Sequence, residues 1–204
     1  MIHAKTILIA TQNEKKRKEI QDILKDVHGI LLKGVEDFPF LPLMEEDGST
    51  FRENAIKKAT ILAKACNTWA MADDSGLEIN ALNGRPGVYS SRYAGLDATD
   101  ERNIEKVLFE LKGVPKEKRT AMFACTIALA SPHRLFFVVE GYCNGIITEE
   151  PKGTGGFGYD PVFYVPDYKQ TFAELNPSIK NKISHRAIAL EQFKKHIIPL
   201  IHSK

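Results

Sequence analysis

The sequence predicts an α/β fold: a mixed twisted sheet flanked by helices, two lobes in one domain spanning 1–204, with the active site in the cleft between them. Three observations carry this. Short apolar runs alternate with amphipathic helical stretches in the first hundred residues. Two β-rich arms around Ser131-Pro132-His133 form a long hairpin in the middle. A glycine-rich, aromatic segment, Lys152 to Pro161, precedes another short strand. Such a mixture argues for one sheet with helices packed on it.

The elements follow in order. Thr6 to Ala10 is an apolar run with polar neighbours, a buried strand. After the turn Thr11-Gln12-Asn13, a helix begins near Glu14, with Ile20, Ile23, Leu24 and Val27 on one face and Gly29 at its end. Ile30 to Val35 is a second strand, and 36–49 is a loop holding Glu45-Glu46-Asp47. Thr50 and Glu53 have capping-box spacing, opening an alanine-rich helix to Ala65. Trp69 to Ala72 is a strand that ends in Asp73-Asp74-Ser75-Gly76, and Asn83 to Gly87 is a tight turn. Thr99 caps a helix from Asp100 to Lys112, closed by Gly113 and Pro115. The hairpin arms are Arg119 to Ala130 and Leu135 to Tyr142, with a separate strand from Ile146 to Thr148. A last helix begins near Ser184, turns Ile188, Leu190 and Phe193 inward, and is disturbed by Pro199.

Composition narrows the function classes. With 43% hydrophobic and 26% charged residues the chain is ordinary globular, and its 204 residues suit one large domain or two small lobes. A formal charge of +2 argues against a dedicated nucleic-acid coat or a strongly basic membrane binder. Cys66, Cys125 and Cys143 form no zinc pattern and sit in apolar neighbourhoods, as reduced thiols of a cytosolic protein do. The sequence shows no signal-peptide pattern and no apolar stretch long enough to span a bilayer.

Four clusters offer chemistry. Thr11, Asn13, Lys15, Lys16, Arg17 and Lys18 surround a helix N-terminus, whose N–H groups and partial positive charge welcome anions. The same run also reads as a solvated basic face. Glu45-Glu46-Asp47 and Asp73-Asp74 are carboxylate pairs of the kind that hold Mg²⁺ together with phosphate oxygens, or else solvated acidic turns. Phe157 and Tyr159 beside four glycines offer a flat surface to a planar heterocycle, with Asp160 as an acceptor; a glycine-rich hairpin with buried aromatics has the same composition. Lys180, Lys182, His185 and Arg186 precede the last helix and could read carbonyl oxygens on a base or phosphate.

Three other motifs lack their context. Gly153, Gly155 and Gly158 have dinucleotide-binding spacing, but Pro161 and a strand follow instead of a helix. Asp74-Ser75-Gly76 matches an aspartic-protease motif that has no second copy here. No Walker loop is present.

Taken in order, the motifs resemble one family. They are Thr11 to Lys16; Glu45-Glu46 followed by Thr50 to Ala55; Ala72 to Leu77; Gly84 to Gly95; Gly153 to Pro161; and Ile183 to Arg186. The chain resembles, over nearly its whole length, the inosine/xanthosine triphosphate pyrophosphatases, which hydrolyse deaminated purine nucleoside triphosphates. Where that family's first turn usually reads T-G-N, this chain has Gln12. The resemblance implies a homodimeric, cytoplasmic, Mg²⁺-dependent hydrolase that cuts ITP, dITP or XTP between the α- and β-phosphates. It implies that Thr11, Gln12, Asn13, Glu14, Lys15 and Lys16 hold the phosphates with help from Lys58. Glu46 and Asp74 would position Mg²⁺, Asp74 would accept the proton of the attacking water, and Ser75 would touch the substrate. Phe157, Gly158, Tyr159, Asp160, Lys180, His185 and Arg186 would recognise the base. The other readings are a non-catalytic nucleotide or nucleic-acid binding module built on the Lys15 to Lys18 stripe, and a pyrophosphatase for other modified nucleotides.

Overall fold

The computed structural model describes residues 4–42 and 44–202. Its strands are β1 (Lys5–Ile9), β2 (Ile30–Lys33), β3 (Trp69–Ile79), β4 (Thr120–Ala130), β5 (Leu135–Ile147), β6 (Phe163–Val165) and β7 (Gln170–Thr171). Its helices are α1 (Glu14–Leu24), α2 (Phe51–Ala65), α3 (Asp100–Glu110), α4 (Pro177–Ile183) and α5 (His185–His202). The strands form one open sheet in the order β2-β1-β3-β4-β5-β6-β7. The sheet is mixed: β1 runs parallel to β2 and β3, whereas β6 runs antiparallel to β5 and β7. The parallel pairs need helical crossovers, which α1 and α2 supply.

The chain forms two compact units. The first contains the segment ending at Asp74, Cys125–Gly141 and the segment starting at Arg186; the second contains Ser75–Ala124 and Tyr142–His185. Strands β3, β4 and β5 each give residues to both.

In the first unit, the two-residue period of a strand separates two cores. Ile7, Ile9, Met71, Cys125, Ile127 and Leu129 pack with Ile20, Ile23 and Leu24 of α1 and with Leu190 and Phe193 of α5. Their neighbours Leu8, Ala70, Ala72, Ala128 and Ala130 pack with Ala55, Ala59, Leu62 and Ala63 of α2. Alanine on both surfaces lets α2 lie close to the sheet. The second unit has an aromatic core in which Phe123, Phe163 and Phe172 contact one another beside Leu77, Ile79, Val107 and Leu111.

Caps fix the helix starts. Thr50 Oγ1 accepts the Glu53 N–H at 3.1 Å, and Thr99 Oγ1 accepts the Arg102 N–H at 3.3 Å. Glu53 reaches back to the Ser49 N–H at 2.8 Å, one residue before the N-cap.

Several expectations are corrected. Strand β3 does not stop at Ala72; it continues through Asp73 and Asp74 to Ile79, where two cations and an amide meet those carboxylates. The expected strand at Ile146 is the end of β5. Helix α1 ends at Leu24, before Gly29, and α3 ends at Glu110. Ile188 is on the outer face of α5, 37% exposed. Pro199 lies inside α5, where it removes one backbone bond near the helix end without stopping it.

Candidate functional site

Adjacent residues of a strand point to opposite faces, so Asp73 and Asp74 separate. Asp73 shares the face of Met71 and meets α1 and α5. Its Oδ2 lies 3.1 Å from Lys16 Nζ of α1 and 3.1 Å from Arg186 Nη2 of α5. Arg186 is 1% exposed and also donates through Nη1 to Glu19 Oε2 at 2.6 Å. Burial pushes the Asp73 carboxyl up, but Lys16, then Arg186 and Lys58, outweigh it and hold the group well below the ordinary carboxylate range. Burial likewise opposes the Arg186 charge, and Asp73 and Glu19 outweigh it.

Asp74 shares the face of Ala72 and meets α2. Asn54 Nδ2 donates to its Oδ2 at 2.9 Å, and Lys58 Nζ stands 4.0 Å from its Oδ1. The Lys58 ammonium also donates to Glu46 Oε1 at 2.7 Å and to the Asp73 carbonyl at 3.1 Å. Glu46 and Asp74, distant in sequence, are thus brought to one amino group. Burial pushes the Asp74 carboxyl above its ordinary value; Lys58 and Asn54 oppose this, and Glu46 adds to it. Lys58 is desolvated too, yet Asp73, Glu46 and Asp74 raise its pKa.

The turn before α1 caps the helix with its own side chains. Asn13 Oδ1 accepts the N–H groups of Lys15 and Lys16 at 3.0 and 3.1 Å, and Thr11 Oγ1 accepts that of Asn13 at 3.2 Å. Side chains therefore satisfy amides that an anion would otherwise meet. Gln12, Asn13, Glu14 and Lys15 are exposed, while Thr11 and Lys16 are half-buried.

The second unit holds the remaining residues. Ser75 is half-buried in β3. In the glycine segment, Asp160 Oδ2 accepts the Phe157 N–H at 2.8 Å and the Lys180 ammonium at 2.6 Å. Gly156 has φ +73°, and a Cβ there would lie 2.0 Å from that same oxygen, so the carboxylate can close the loop only over glycine. The Lys180 ammonium sits 4.7 Å above the half-buried Phe157 ring. His185 stacks on Phe123 at 4.6 Å and 10°.

Two of the expected base-reading residues make contacts within the protein. Tyr159 is buried, and its hydroxyl donates to the Ser90 carbonyl at 2.8 Å, which makes it a core residue that anchors the loop. Arg186, expected to read the base, directs its donors to Asp73 and Glu19. Gly158 gives its N–H to Asp100 at 2.8 Å. Glu19 and Asn54 are members of the charged group that the sequence reading missed. Glu19 lies one turn after Lys16 on α1 and Asn54 one turn before Lys58 on α2, so helical spacing from a suspected lysine was a usable signal. Helix α4, which carries Lys180, was also missed, although Asn176 and Pro177 form an N-cap and first-position pair.

Comparison with known proteins identifies the family. Residues 7–196 match the Ham1 family. A dITP/XTP pyrophosphatase of Bacillus subtilis (strain 168) is 52% identical over 195 residues, covering 96% of this chain and 98% of the relative. The structure of a HAM1 protein from Coxiella burnetii is similar with a TM-score of 0.87 and 46% identity, covering 96% of this chain and 99% of that one. That of the Staphylococcus aureus Ham1 protein gives 0.86 and 41%, covering 96% and 100%. With the fold and half of the residues shared over nearly the full length of such relatives, this chain belongs to the Ham1 family.

Proposed function

We propose that this protein hydrolyses deaminated purine nucleoside triphosphates, dITP, XTP and ITP, to the monophosphate and pyrophosphate. The observation that carries the reading is the division of β3: a fully countered Asp73 behind Lys16, and on the other face an under-countered Asp74 beside Lys58 and Glu46. The half-identity to dITP/XTP pyrophosphatases supports it.

In this reading the charged group takes the phosphates. Lys16 and Lys58 neutralise phosphate oxygens, and Thr11 and the exposed Gln12 to Lys15 border them. Anhydride cleavage depends chiefly on positioning and on countering charge as it develops. Asp74 orients the attacking water and accepts its proton. Held by Asn54, its Oδ2 is fixed while Oδ1 faces Lys58.

Mg²⁺ belongs to the same proposal, with Glu46 and Asp74 as the holding residues. The donor set fits: two carboxylates and no softer ligand, with substrate oxygens and water to complete the shell. When bound, the ion would neutralise phosphate charge and lower the pKa of water.

The base is assigned to Phe157, which offers a half-exposed ring, and to Lys180 and His185, whose donors suit a 6-oxo group. Ser75 borders the substrate. Adenine would set a donor against a donor, and a site built on such bonds can discriminate by about 10⁴–10⁵. Asp160 and Gly158 hold the loop, and Arg186 holds Asp73. Homodimerisation and a cytoplasmic location complete the reading; among the described residues no helix is long and apolar enough to cross a membrane.

The test is a panel of nucleoside triphosphates incubated with Mg²⁺. Pyrophosphate from dITP, ITP and XTP, with ATP and GTP turned over poorly, is expected. Inorganic phosphate plus a diphosphate would reassign the cleaved bond, and equal rates on ATP and ITP would remove the base assignment. Salt-sensitive nucleic-acid binding without turnover would favour a binding module instead.

A further inference from the structure

The first unit carries a cavity that the proposed reaction does not use. Its volume is about 570 Å³, and it is lined by Lys5, Trp69, His133, Arg134 and Phe136, with Leu200 of α5. Lys5 opens β1 and Trp69 opens β3, while His133 and Arg134 form the tip of the β4–β5 hairpin. The Thr11 to Lys16 turn follows the other end of β1. At about 3.3 Å per strand residue, the cavity and that turn are about 15–20 Å apart.

Its chemistry is specific. The Trp69 and Phe136 rings meet at 4.5 Å with a 55° tilt. Lys5 Nζ stands 4.7 Å from the Trp69 ring centre, and the Arg134 guanidinium 4.9 Å from that of Phe136. Among the described residues no aspartate or glutamate lines the cavity. Two permanent cations and a histidine surround an aromatic wall, which repels cations and gives a neutral ligand no partner for the charges. The volume is within the usual range for small-molecule sites, about 300–1,000 Å³.

We propose that this cavity binds a planar organic anion, a flat ring system bearing a phosphate or carboxylate. The ring lies against Trp69 and Phe136, and the anionic group meets Lys5 and Arg134.

Trp69 is the single tryptophan of the chain, so its emission reports on the cavity directly. The full-length protein is titrated with inosine monophosphate, benzoate, inosine and inorganic phosphate, with excitation confined to tryptophan. A saturable change is expected with inosine monophosphate or benzoate, and which of them binds more tightly distinguishes a nucleotide from an aromatic carboxylate. Inosine and inorganic phosphate, each lacking one half of the ligand, bind more weakly. Lys5→Ala and Arg134→Ala should each weaken binding about three- to tenfold, the scale of one exposed cationic contact. Both should keep the parent melting temperature within a few degrees and the parent rate of triphosphate hydrolysis; His133→Ala replaces either that fails to fold. Lys16→Ala should leave the titration intact. The proposal is overturned by the absence of saturation with both ring anions, by equal binding of inorganic phosphate, by unchanged midpoints in the Lys5 and Arg134 variants, or by loss of the signal in Lys16→Ala.

Discussion

The two faces of β3 at Asp73 and Asp74 use the same side chain to opposite ends. On the Asp73 face, Lys16 and Arg186 both approach one carboxylate oxygen at 3.1 Å, and the group stays ionised although its side chain is 0% exposed. On the Asp74 face, one ammonium at 4.0 Å and one amide at 2.9 Å leave the carboxyl raised by burial. A buried carboxylate with two cations is committed to structure. One with a shared cation and a second carboxylate nearby can still accept a proton or a metal. Adjacent residues can differ this much because strand geometry sends them to different helices.

Substituting the two positions one at a time tests the comparison most severely. Asp74→Asn should lower turnover by about 10²–10⁴, the usual loss when a positioned general base is removed. It should change the melting temperature little, since the amide keeps the shape and one acceptor. Steady-state pyrophosphate release and thermal denaturation on the same sample decide this. Near-parental activity in Asp74→Asn would transfer the base role to Asp73 or Glu46.

Asp73→Asn should act on the fold first. It leaves Arg186 buried with one carboxylate fewer, and breaking such a buried pair costs about 3–5 kcal/mol. The melting temperature should fall by about 6–20 °C at the two to four degrees per kcal/mol usual for chains of this length. A variant that melts with the parent yet has lost all turnover would erase the distinction between the two faces.

How far the sequence reveals this contrast follows from where the partners lie. The order of β1, α1, α2, α3 and the hairpin is legible because caps, turns and apolar period are local. The passage of β3 through two aspartates is not. Adjacent carboxylates read as a strand's end until Lys16, Lys58, Asn54 and Arg186 are brought against them, and Arg186 is 113 residues from Asp73. For the same reason Arg186 reads as a ligand contact in sequence and as a buried counter-ion in the structure. Lys58 entered only through family resemblance, since nothing about a lysine in an alanine-rich helix marks it. Helix α4 is marked in the sequence by Asn176-Pro177, an N-cap and first-position pair, but its seven residues are too few to show a helical apolar period.

A smaller effect sharpens the Asp73 face. Glu19 is the outer partner of Arg186, with a side chain 15% exposed, so solvent screens part of its charge. Glu19→Gln keeps an acceptor for Arg186 Nη1 and removes the charge. The expected loss is about 1–2 kcal/mol, toward the low end for a charged hydrogen bond because of that exposure. Lys16 should keep its place, since Asp73 remains. Chemical denaturation should therefore show a lower midpoint at unchanged slope, with turnover within about threefold of the parent. A loss as large as that of Asp73→Asn would mean that Glu19, and not Asp73, is the principal counter-ion of Arg186.

The smallest effect uses the cysteines as reporters of each face. Cys125 lies in the core on the Asp73 side, and Cys66 packs at the end of α2 on the Asp74 side. Burial pushes the Cys125 thiol from 9.0 up to about 12, with Arg186 opposing and Asp73 adding. Burial also raises Cys66, which is only half-buried. The thiolate is the reactive form, so iodoacetamide at pH 9 should label Cys66 slowly and leave Cys125 untouched while the protein is folded. The unfolded chain releases the Cys125 proton near 9.0 and the folded chain only near 12. The folded state thus binds the extra proton between those values, and stability must fall as pH rises through that window. Labelling of Cys125 should then appear together with loss of the folded signal in circular dichroism. Cys125 alkylated at pH 9 with the fold intact would show that the Asp73 face opens to solvent, and the contrast between a closed structural face and an accessible chemical one would fail.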